Sequence, residues 1–222
     1  MNEYLKAQMK TNSAIINSSF SLDELHRFSK SDYRWADNRS KNFQLYKVKK
    51  GEIYQFEFKK NFIPEMSYEH RGLVIGINKK LLYVLPIFSY NSQRHTNVYH
   101  PIDFPNSKSN IYLLKKSEFS FINHDSVLKL NDIRTVSINR ILYKHSGKID
   151  LSSNTYKQIT FLVFQKYFPD LCYDFKQYMQ TISLLQNKVT ELENVQNTLK
   201  TKNQQLLSEL QNSSRNSTHT LG

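Results

Sequence analysis

The sequence holds a single cysteine, Cys172. An internal disulfide is therefore impossible, and the cysteine count offers no zinc site. Beside Leu171 and Tyr173 it reads as a small apolar side chain. No run approaches the ~18 consecutive apolar residues of a membrane span, and the opening MNEYLKAQMK lacks the apolar core of a signal peptide. The expectation is a cytoplasmic protein with no membrane partner. Standard enzyme motifs are missing too: no P-loop, dinucleotide fingerprint, HExxH or nucleophile elbow. His95 and His100 stand near each other without a carboxylate or cysteine pattern, so no metal or other cofactor is expected.

What is present is positive charge and aromatic bulk. The net charge is +12, and 14 Tyr with 14 Phe supply core material in a chain only 39% hydrophobic. The charge is uneven. From Asp170 onward 5 basic residues balance 5 acidic ones, so residues 1–169 carry the whole excess. That points to a polyanionic partner for the first three quarters of the chain, or simply to a solvated basic surface.

Residues 1–46 read as a loose polar arm followed by a helix. Ser21 can cap that helix, with Glu24 three residues on completing a capping box. Trp35, Phe43, Leu45 and Tyr46 suggest packing against the next domain. From Gly51 the pattern turns to strands. GEIYQFEF alternates Tyr54, Phe56 and Phe58 against Ile53, Gln55 and Glu57. GLVIGIN and LLYVLPIF are joined by Asn78, Lys79 and Lys80, a short hairpin. IYLLKKSEFSF and SVLKL are further strand-like runs, with His124 and Asp125 turning between them. So many short strands predict a small curled barrel or sandwich over 47–169. A helix capped by Ser152 or Ser153 follows, carrying Ile159, Leu162, Val163 and Tyr167, and Pro169 breaks it.

The stretch 175–211 repeats in sevens. One position reads Leu185, Leu192, Leu199 and Leu206; its companion reads Ile182, Val189, Gln196, Asn203 and Leu210. This is a leucine zipper of about four heptads, and β-branched residues opposite leucine favour two parallel strands. Asn203 would fix register, and Lys188 could pair with Glu193 of a second chain. A single helix folding back on its own domain is the other reading. The end, 212–222, is expected to be disordered.

Four ordered pieces carry a resemblance: KKGEIYQFEF, NFIPEMSYEHRGLVIGI, LLYVLPIFSYN and VLKLNDIRTVSINRIL. Over residues 48–168 the chain resembles the PemK/MazF family of toxin endoribonucleases, and the hairpin and VLPIFS also resemble the phage-defence relatives ToxN and AbiQ. The resemblance implies an α+β fold that is mainly β, a small SH3-like barrel of the MazF/CcdB type, followed here by a helix and the coiled coil. It implies a metal-independent endoribonuclease acting on single-stranded RNA within a toxin–antitoxin or phage-defence system, with an RNA or protein antitoxin as partner. It also implies a homodimer, through the barrel, the coil or both.

The same resemblance assigns chemistry. Arg71 would stabilise the dianionic phosphorane, Ser89 would hold a phosphate oxygen or the 2′-hydroxyl, and His70 would carry a proton. Lys49, Lys50, Lys59, Lys60, Lys79, Lys80, Tyr90 and Arg94 would attract and stack RNA, with Tyr54 and Tyr68 as further aromatic candidates. Asp132 and Arg134 would form an architectural pair. The sequence departs from the family where Gly72 replaces proline after the arginine, where the Glu65 loop lacks glycines, and where Ser89 stands for threonine. The glutamine after the acid is also missing at Asp132–Ile133. A gapless count would place His70 in the arginine slot. These departures keep a second reading open: a non-catalytic nucleic-acid-binding or protein-interaction module on the same barrel, dimerised by the coil.

Overall fold

The computed structural model describes residues 2–39 and 48–218, with side chains to residue 210. It divides at residue 168 into two compact units. The first contains helices α1 (Asn2–Ile16) and α2 (Leu22–Arg39), then strands β1 (Glu52–Glu57), β2 (Glu69–Asn78) and β3 (Leu81–Ser89). Short strands β4 (Ile111–Leu114), β5 (Ser126–Lys129) and β6 (Arg134–Ser137) follow. A 3-10 turn (Ile138–Arg140), strand β7 (Ile141–Lys148) and helix α3 (Asn154–Tyr167) complete the unit. The second unit is built on helix α4 (Pro169–Thr218).

All seven strands join one antiparallel sheet in the order β4-β5-β3-β2-β1-β7, with β6 pairing the other half of β3's free side. The sheet is not flat. Four strand spacings of ~4.8 Å separate β6 from β7 across the ladder, about 19 Å. Yet only the 3-10 turn of Ile138–Arg140 connects them, and such a turn rises about 2 Å per residue. The sheet must therefore curl. No ladder joins β6 to β7 among the described residues, so the expected closed barrel is observed as an open, curled sheet.

Curling explains why β1 buries both faces instead of one. Ile53 enters a core with Leu73, Leu85, Ile87 and Leu128, covered by Ile159 and Val163 of α3. Tyr54, Phe56 and Phe58 enter a second core with Val74, Leu82, Val84, Val136, Ile138 and Ile141, inside the curl. The hairpin forms as expected, with Lys79 in the left-handed region at φ 54°.

The capping box forms as well. Glu24 N donates to Ser21 Oγ (3.2 Å), and Ser21 N donates to Glu24 Oε2 (2.8 Å). Ser153 Oγ accepts from Tyr156 N (3.2 Å) and caps α3. Pro169 opens α4, where its missing N–H costs nothing.

Three expectations differ from what is found. Residues 2–16 are helical, although none is buried, because runs such as Leu5 to Lys10 are good helix formers. The run from Ile111 stays extended only to Leu114. The chain then turns, with Glu118 N and Phe119 N donating to Lys115 O. The helix of α4 continues to Thr218, through most of the stretch read as a disordered end. Phe43, Leu45 and Tyr46 lie outside the described residues, while Trp35 is half exposed beneath the Lys59 and Arg39 cations.

Gly72 has a packing reason. It pairs with Tyr54 and Pro86, and an added Cβ would lie 2.3 Å from Val84 Cγ1 and 3.0 Å from Phe56 Cδ2. Gly72→Ala should lose about 1–3 kcal/mol of stability in denaturant unfolding; an unchanged midpoint would show that this contact relaxes freely.

Candidate functional site

Strand register gathers the site from residues far apart in sequence. On β2, Arg71 sits opposite Gln55 of β1 and Ile87 of β3. Ser89 of β3 sits opposite Ser126 of β5. Gln55 also pairs with Tyr143 of β7. Arg71 and Ser89 therefore come to the same end of the sheet.

At that end Arg71 Nη2 donates to Ser126 Oγ at 3.3 Å. Ser126 is fully buried, and its hydroxyl donates to the His124 carbonyl (3.1 Å). Ser89 Oγ lies 2.8 Å from His124 Nε2. On the other flank His145 Nε2 lies 3.0 Å from Gln55 Oε1, and its ring meets Tyr143 at 5.2 Å. The constellation is a guanidinium tied through Ser126 to the His124 turn, with His124 held by Ser89 and His145 held by Gln55.

As with Arg140, the electrostatics set Arg71 apart from the ion-paired arginines. Burial lowers its tendency to carry charge, and Tyr143 only partly offsets this. Among the described residues no carboxylate lies within ion-pair distance of it. Arg34 and Arg134 differ. Arg34 bonds Glu69 (2.6 Å) and Glu57 (3.1 Å), while Arg134 contacts Asp132 (2.8 Å) and Glu65 (3.3 Å). A half-buried guanidinium without a counterion keeps its charge and remaining donors available to an anionic ligand. His145 is pushed below the ordinary imidazole value, by burial first and by the Arg71 charge second. It is thus neutral near pH 7 and able to accept a proton.

His70 precedes Arg71 on β2, where alternate side chains leave the sheet on different sides. It nevertheless lines a groove of about 440 Å³ with Gln55, Glu57, Arg34, Arg27 and Lys30. Burial and the Arg27 charge depress its pKa. Neither His124 nor His145 was expected at this end of the sheet; the nearest signals were the turn at His124 and the outward Gln55 in GEIYQFEF.

Asp132 is architectural. Buried, it accepts from Met66 N (2.8 Å) and pairs with Arg134, while Lys129 Nζ donates to the Pro64 carbonyl. Together they fasten the Glu65 loop to β6.

The expected RNA-binding residues divide by end. Lys59, Lys60, Tyr90 and Arg94 follow the β1 and β3 termini that carry Glu57 and Ser89, at the Arg71 end. Lys79 and Lys80 form the hairpin turn, eight residues along β2 from Arg71, or about 26 Å. Lys49 and Lys50 lie before β1, also away from it. Tyr54 is fully buried and bonds Glu52 (2.5 Å), which withdraws it from stacking.

Among the described residues no group of three metal-ligating side chains comes together, and none of their helices is long and apolar enough to cross a membrane. His95 stacks on Tyr90, and His100 is buried between Asp103 and Glu118. No protein-family model matches the sequence, and no curated protein matches it.

In an NMR pH titration His145 should titrate below the free value of about 6.5, and Arg71→Ala should move it upward. Because such a group binds fewer protons when folded, its contribution to stability grows as pH rises through that window. No upward movement in Arg71→Ala would contradict the placement of the two groups.

Proposed function

We propose that the chain is a metal-independent endoribonuclease that cleaves single-stranded RNA, working as the toxin of a toxin–antitoxin or phage-defence system on a PemK/MazF-like, SH3-related domain. One observation carries this reading: among the described residues Arg71 is half buried with no carboxylate in ion-pair reach, bonded to Ser126, which holds the His124 carbonyl, and near enough to His145 to act on its charge.

The chemistry follows from that arrangement. The 2′-oxygen attacks phosphorus, forming a 2′,3′-cyclic phosphate as the bond to the 5′-oxygen breaks. One histidine takes the 2′-proton and the other returns a proton to the leaving oxygen, which requires groups on opposite sides of the phosphate. His145, held neutral, suits the base; His124, hydrogen-bonded to Ser89, suits the acid. Arg71 meets the phosphorane oxygens, a contact worth about 3–4 kcal/mol in a fixed site. Ser126 orients Arg71, and Ser89 orients His124.

Dimerisation belongs to the same proposal. Leu185, Leu192, Leu199 and Leu206 are 49–60% exposed along α4, with Ile182 and Val189 beside them. A stripe this regular is a seam for a second copy, and Asn203 within it would set register. The second reading, a binding module without catalysis, is favoured by Gly72 in place of the family's proline, and the same experiment separates the two.

Wild-type protein should cleave single-stranded RNA in EDTA, leave cyclic phosphate ends and sediment as a dimer. Arg71→Ala should lose at least about a hundredfold in rate while remaining dimeric. Leu192→Glu with Leu199→Glu should yield monomers. RNA bound but uncut by wild type would establish the binding module instead.

A further inference from the structure

A second cationic cavity lies beside the first site, built in part from α2, which the family resemblance does not cover. It has a volume of about 280 Å³ and is lined by Arg34, Trp35, Arg39, Glu57, Lys59 and Arg140, among others. Four cations face one carboxylate. Glu57 is already engaged, accepting from Ser31 Oγ (2.9 Å) and Arg34 (3.1 Å). The nearby Asp32 is held by Lys60 at 2.9 Å. Lys59 Nζ stands 4.7 Å from the centre of the Trp35 ring, and Arg39 stands 5.5 Å from it.

The cations are held there against their own repulsion. Lys59 takes a left-handed backbone conformation at φ 67°, uncommon for a residue with a side chain. Its N–H donates to Glu57 Oε1 (3.0 Å) and its carbonyl accepts from Tyr68 N (2.6 Å), which fixes that conformation. Arg140 Nη1 donates to the Glu57 carbonyl (3.0 Å), pointing the guanidinium at the same place. Burial, then the Arg140 charge, makes the Lys59 ammonium less favourable than usual. An anion in the cavity would relieve both.

We infer that this cavity is a subsite for one nucleotide of a single-stranded nucleic acid, its phosphate on Lys59, Arg39 and Arg140 and its base on Trp35. The size is that of a small ligand pocket rather than a duplex groove, and cations around an aromatic ring are how single strands are held without sequence readout. Glu57 lies two residues along β1 from Gln55, about 7 Å, and Gln55 is the partner of Arg71. The groove lined by Gln55, Glu57, Arg34 and His70 joins the two places. A strand cut at Arg71 would thus be anchored a nucleotide or so away. The inference rests on the ribonuclease reading for its ligand, but not on cleavage itself.

Trp35 is the sole tryptophan, so its emission reports on this cavity alone. The full chain is titrated with a short 2′-O-methyl RNA, which lacks the attacking hydroxyl, while fluorescence anisotropy of labelled RNA reports total binding. Wild type should show a saturable change in Trp35 emission. Lys59→Gln should bind about tenfold more weakly, and its salt dependence should flatten by about 0.7 in log–log slope, one phosphate contact. Arg39→Gln, which removes no backbone tether, should act likewise. Arg71→Ala should keep the Trp35 change. RNA binding with unmoved Trp35 emission, or wild-type affinity in both variants, would overturn the subsite and leave the Arg71 reading standing. Equal saturation by inorganic phosphate would reduce the cavity to a simple anion site and also overturn it. No binding by either readout would sink the nucleic-acid reading as a whole.

Discussion

Everything in the first unit depends on the shortness of the link between β6 and β7. Three residues, Ile138–Arg140, connect strands on opposite margins of the central ladder. A flat sheet would stretch that link beyond its reach. The curl that results encloses the aromatic core of Tyr54, Phe56 and Phe58 and leaves the opposite face to α3. It also brings β7 round to β1, and with it His145 to Gln55 and Arg71.

The charged groups fall into two kinds once the fold is set. Arg34, Arg134 and Lys144 neutralise buried or half-buried carboxylates and hold elements together: Arg34 joins α2 to β1 and β2, Arg134 joins β6 to the Glu65 loop, and Lys144 meets Glu52 at 2.5 Å. Arg71 does no such work. Its partner is a serine hydroxyl, and a lone charge half withdrawn from water costs stability unless a ligand restores what solvent supplied. That contrast, between neutralised and unneutralised guanidinium groups in one small sheet, distinguishes structure from site more clearly than exposure does.

Local features were legible in the sequence. The Ser21–Glu24 box, the Asn78–Lys80 hairpin, the Ser153 cap and the break at Pro169 each depend on a few neighbouring residues, and each is found where the pattern placed it. The contact of Asp132 with Arg134, two residues apart at the entry to β6, is local as well. What depended on distant pairing was not legible. β3 divides one margin between β5 and β6, and no pattern within either strand announces that. His124 read as a turn residue and His145 as part of an unremarked strand, because their links to Ser89 and Gln55 join positions far apart in the sequence. His70 alternates with Arg71 along β2, yet it lines one groove with Gln55, the strand partner of Arg71.

The central claim is that Arg71 is an anion site of a kind that the ion-paired arginines are not. Side-chain NMR of the arginine Nε–H groups, recorded while an uncleavable 2′-O-methyl dinucleotide is added, addresses it directly. The account predicts that Arg71 shifts and saturates while Arg34 and Arg134 stay in place. An unmoved Arg71 signal, or equal movement in all three, would contradict it.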